Sequence, residues 1–108
     1  MKNITYSFSN SDIETILFTL SMLPSLDIEK SETQFAVNLQ CCFSASQKLI
    51  KHDKIAPNEF RVIYASLKIA QLVNQGKFPV EDELKRKCNR YLFSINNLVS
   101  IFDNQVLS

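Results

Sequence analysis

The side chains best suited to covalent chemistry are three thiols and one imidazole: Cys41, Cys42, Cys88 and His52. A thiol beside an imidazole is the pattern of nucleophilic catalysis, in which the ring takes the thiol proton. Spacing works against it here. On a helix rising 1.5 Å per residue, Cys41 and Cys42 stand about 15 Å from His52. Cys42 and Cys88 also fall on apolar stripes, where a thiol serves as a small packed hydrophobe. Metal ligation asks for a C-x-x-C pair, H-E-x-x-H, or Glu-x-x-His on facing helices. None of these occurs, and His52-Asp53 is only a dipeptide at a helix end. The expectation is therefore no catalytic residue, no metal and no cofactor.

Two charged clusters remain. Glu81-Asp82-Glu83 is acidic enough for acid–base work, but catalytic carboxyls need a desolvated cleft. These three instead open a helix and have cations one turn on, which suits ion pairs and the helix dipole. The cations, Lys85, Arg86, Lys87 and Arg90, with Lys77 before them, could meet phosphates. A nucleic-acid contact through Lys85, Arg86 and Arg90 is the alternative reading. The interleaved acids weaken that field, and no stacking aromatic stands within the cluster. Phosphate cradles and the G-x-S-x-G elbow all need more than one glycine, and Gly76 is the sole glycine in the chain.

The elements that carry these residues follow from periodicity and punctuation. Pro24, Pro57, Gly76 and Pro79 cut the chain into four apolar-periodic segments. The first helix is expected over about 11–23, opened by a capping box of Ser11 and Glu14 and lined by Ile13, Ile16, Leu17, Leu20 and Leu23. The second, about 32–52, starts at a Ser31–Gln34 capping box. Its core stripe is Phe35, Leu39, Cys42, Phe43, Leu49 and Ile50, and Lys48, Lys51 and His52 suit its negative end. The third, about 57–75, has Pro57 at its first position and Gly76 as its left-handed cap. It is apolar over so wide an arc that it must be covered on more than one side. The fourth, about 80–104, carries Leu84, Cys88, Tyr91, Ile95, Leu98 and Phe102 at steps of 4, 3, 4, 3 and 4, a heptad-like seam. Glu81–Lys85, Asp82–Arg86 and Glu83–Lys87 should pair along its start. Before them, Ile4, Tyr6 and Phe8 alternate with polar residues as a short extended arm.

This predicts an all-α fold, an antiparallel four-helix bundle with a short N-terminal arm, in one domain over 1–108. A chain of 108 residues that is 45% hydrophobic and 21% charged can build one core without staples. An odd cysteine count with two neighbours argues for free thiols in a reducing compartment, and the cytoplasm is the default location. No run approaches the length of a membrane span. The net charge is +1, yet up to Gln47 two basic residues stand against five acidic, and from Lys48 to Arg90 ten against five.

The expected function is a small non-catalytic protein-binding module, an inhibitor, adaptor or regulator acting through an apolar helix face, with another protein or as a homodimer. Helix three has the widest such face, and Arg61, Tyr64 and Lys68 are the expected protein contacts. Within this class the stretch from Gln47 to Pro79, Q-K-L-I-K-H-D-K-I-A-P-N-E-F onward to Q-G-K-F-P, resembles part of the bacteriocin immunity proteins. Those are small cytoplasmic four-helix bundles that protect the producing cell. The likeness implies no catalytic residues and covers about a third of the chain. The long helix after Pro79 and the near-neutral charge depart from that family's basic character.

Overall fold

The computed structural model describes residues 8–25 and 32–107. The fold is all-α, with five helices: α1 (Asn10–Met22), α2 (Glu32–Lys51), α3 (Pro57–Asn74), α4 (Asp82–Arg90) and α5 (Leu92–Leu107). A 3-10 turn over Leu23–Ser25, with Pro24 at its centre, follows α1. The Cα radius of gyration, 13.2 Å, is that of a compact chain of this length.

Local chemistry sets the helix ends. α1 opens two residues earlier than the Ser11–Glu14 box implied. Ser9 caps it, its Oγ accepting from Asp12 N–H at 3.1 Å while the Asp12 carboxylate accepts from Ser9 N–H at 3.1 Å. The competing box two residues along loses because this register puts Phe8 directly before the cap, where its ring packs on Phe102 at 6.0 Å. Of the expected arm, residues 1–7 lie outside the described residues, as does Ser31 of the second capping box.

α2 and α3 end alike. Asp53 N–H donates to the Lys48 carbonyl and His52 N–H to the Leu49 carbonyl. Lys77 N–H and Gly76 N–H do the same to Leu72 and Val73. Both are Schellman caps, which need a left-handed residue. Gly76 supplies φ 73° freely, whereas His52 holds φ 59° with a side chain. His52 is thus a strained cap beyond the last turn. His52→Gly is expected to raise the unfolding free energy by about 0.5–1 kcal/mol, relief of left-handed strain outweighing glycine's entropy. Urea unfolding would read this as a higher midpoint with an unchanged slope.

The helix expected over 80–104 is instead two, separated at Tyr91, with the seam intact. Tyr91 adopts φ −101° and ψ 16°, and its N–H bonds back three residues to Cys88 O rather than four. This tight turn skips one rung of the α ladder and redirects the axis. Tertiary contacts hold it there: the Tyr91 ring stacks on Phe18 at 5.0 Å and its hydroxyl donates to Glu14 Oε1 at 3.2 Å. α4 packs on α3, and α5 packs on both α3 and α1. Leu84 and Tyr91 are half-buried, and Cys88, Ile95, Leu98 and Phe102 are buried.

α3 is the hub, touching all four other helices. Phe60, Ile63, Leu67, Ala70 and Val73 are buried along it, so most of its wide apolar arc lies inside the fold, with Leu72 left at its exposed edge. Hydroxyls fix the register within this core. Thr15 donates to Ser94 Oγ at 2.7 Å, and Thr19 and Ser66 share a bond of 2.9 Å. Each hydroxyl pair ties α1 to a neighbouring helix by a contact that only one alignment satisfies.

Candidate functional site

α3 keeps most of its apolar surface inside, with Leu72 37% exposed, and the more exposed large apolar side chains lie on other helices. The expected α2 stripe divides. Cys42 and Leu49 are buried with Ala45, whereas Leu39, Phe43 and Ile50 are 42%, 67% and 62% exposed; the Phe35 side chain lies outside the described residues. The reason is angular. Cys42, Ala45 and Leu49, spaced 3 and 4, form one inward line. Phe43 and Ile50 each follow an inward residue by one position, about 100° around the helix. α2 packs on α3, α1 and the turn after α1, and its second apolar line is left exposed.

That outer line borders a groove of about 380 Å³ between α2 and the end of α1. Leu17, Leu20 and Pro24 form one wall and Leu39, Phe43 and Ile50 the other, with Cys42 between them. Pro24 widens the wall because it carries α1 into the 3-10 turn. Of the polar groups at the groove, Ser21 donates its hydroxyl to Phe18 O at 2.7 Å and Ser46 to Cys42 O at 2.8 Å. Both hydroxyl protons are spent on the helices, and among the described lining residues Gln47 alone supplies a side-chain N–H donor. Among the described residues no charged side chain lines the groove. What it can do is bury apolar side chains.

The remaining sequence candidates fall into place around it. Cys88 is buried with its Sγ 3.7 Å from Met22 Sδ, and burial pushes its thiol up to about 11, leaving it protonated at neutral pH. Asn58 Nδ2 donates to Cys41 Sγ at 3.6 Å. None of the three cysteines is in a disulfide. His52 is exposed. Among the described residues no three His, Cys, Asp or Glu side chains are grouped as metal ligands, and no helix is long and apolar enough to cross a membrane.

Arg61, Tyr64 and Lys68 do lie together on α3. Lys68 Nζ sits 5.9 Å over the Tyr64 ring, and the Tyr64 hydroxyl donates to Asp103 Oδ1 on α5. That carboxylate, then burial, raises the Tyr64 pKa above its ordinary value. Lys85, Arg86 and Arg90 are all exposed on α4. Of the three expected pairs, only Glu83–Lys87 is within ion-pair distance, at 3.6 Å.

One polar cluster escaped the sequence reading. Glu59, 2% exposed, accepts from Lys48 Nζ at 2.8 Å, from Ala56 N–H at 2.9 Å and from Ser44 Oγ–H. It closes the start of α3 and staples it to α2. The signal was present as the acid three positions after Ala56 with Pro57 between, half of a capping box.

No family model, curated protein or solved structure matches this chain.

Proposed function

We propose that this chain is a small non-catalytic protein-binding module, an inhibitor, adaptor or regulator of the cytoplasm, whose docking face is the groove between α1 and α2. The observation that carries the reading is the outward line of Leu39, Phe43 and Ile50 beside that groove. Three large apolar side chains on one face of a small protein are costly to keep in water, and such patches mark interfaces. A cavity of this size takes a few apolar side chains of a partner, with the exposed Phe43 ring as the aromatic anchor. The reading treats α4 and α5 as one bent member of an antiparallel four-helix bundle, a scaffold rigid enough to present a preformed groove. Arg61, Tyr64 and Lys68 remain a secondary contact proposal on α3.

The test is a photo-crosslinking amino acid placed at Phe43 in the native cell. The expected result is one discrete protein adduct that disappears when Ile50→Asp is added. The same crosslinker at Lys87, on α4, should give none. No adduct from position 43, or the same adduct from position 87, would remove the proposal.

A further inference from the structure

Phe93 is 89% exposed, the most exposed large apolar side chain among the described residues. It stands two residues past the break at Tyr91, off the line of the buried Cys88, Ile95 and Leu98. Arg86, Arg90, Phe93 and Asn97 follow at steps of 4, 3 and 4, all exposed, and Asn89 and Lys85 flank them, also exposed. Lys85, Arg86 and Arg90 have no ion-pair partner among the described residues, whereas Lys87 is held by Glu83.

We infer that this outer stripe of α4 and α5 binds single-stranded nucleic acid. The chemistry is a bare aromatic face for one unpaired base, guanidinium and ammonium groups for the adjoining phosphates, and free amides for base edges. An apolar protein contact or an anionic membrane fits less well. Both want several apolar residues side by side, and the exposed residues nearest Phe93 along the helix are Arg90, Asn89, Asn96 and Asn97. A duplex hides the base faces that the ring would stack on, so the strand must be single. This site is separate from the α1–α2 groove and stands or falls without it.

The test is fluorescence anisotropy with a labelled oligothymidine of about ten nucleotides, a length within the site sizes of single-strand binders. The wild-type chain should bind it with a slope of log affinity against log salt near −2, three cations at about 0.7 each. Phe93→Ala should weaken binding about tenfold with the slope unchanged. Arg86→Ala with Arg90→Ala should weaken it and flatten the slope by about 1.4. All three positions are on the surface, so circular dichroism should show folded variants. Absence of binding at low salt, equal affinity of Phe93→Ala, or equally tight binding of the matching duplex would each overturn the inference. So would a preference for phosphatidylserine vesicles over the strand.

Discussion

Replacing Phe102 with alanine is expected to lower the unfolding free energy by about 4 kcal/mol, among the larger losses a single truncation can cause. Phe102 is 1% exposed near the end of α5. Its ring stacks on Phe60 of α3 at 4.7 Å, lies 6.3 Å from Tyr64, and receives Phe8 at 6.0 Å from before the α1 cap. Removing the ring forfeits its transfer energy and leaves a cavity that rigid helices close only in part. The lost aromatic contacts add to this. Phe93→Ala, nine positions earlier on the same helix, is the control. Its ring is in water, and its removal should change stability by no more than about 0.5 kcal/mol. Urea unfolding of the pair checks both.

Glu59→Ala is expected to cost about 3 kcal/mol, from loss of a buried carboxylate that accepts hydrogen bonds from Lys48, Ala56 and Ser44. Lys48 is about one-third exposed and rehydrates once freed, which keeps the loss below that of a fully stranded ion. The same carboxylate gives the fold an acid-sensitive contribution. Burial works against its charge, but the Lys48 and Ser44 side chains, the Ala56 N–H and the Lys48 charge outweigh burial and hold its pKa below the ordinary value. Its proton is therefore bound more readily in the unfolded chain. The stabilisation is complete above the unfolded carboxyl value of about 4.3 and drains away as pH falls through the lower folded value. Glu59→Ala should accordingly flatten the decline of stability between about pH 5 and pH 3. A decline as steep as that of the wild-type chain would show that other carboxyls govern it.

Periodicity made the helices legible because each buries a face, and burial leaves its period in the residues. The seam from Leu84 to Phe102 survives the bend at Tyr91 for that reason. The bend itself was not legible, since Tyr91 occupies the same seam position in a straight helix or a bent one. What bends it is Phe18 and Glu14, more than seventy residues away in sequence for both contacts. The outward line of α2 was missed for a related reason. Leu39, Phe43 and Ile50 read as core beside Cys42 and Leu49, because a sequence does not say how many neighbours a helix has. α3 shows the reverse: its wide arc suggested a free face, and four packed helices cover most of it. Phe93 was not singled out by the sequence, because an aromatic off the seam gains a meaning beside Arg90 only when the seam is seen to be buried.

The direct test of the two-sided account of α2 is the unfolding free energy of Leu39→Ser combined with Phe43→Ser and Ile50→Ser. Side chains that face an open groove contribute little to folding, so the triple variant should lose about 1 kcal/mol, the difference in helix propensity. Its urea slope should be that of the wild-type chain. A loss of about 5 kcal/mol or more, the scale of several buried apolar side chains truncated together, would mean that this line is core and that no docking groove exists.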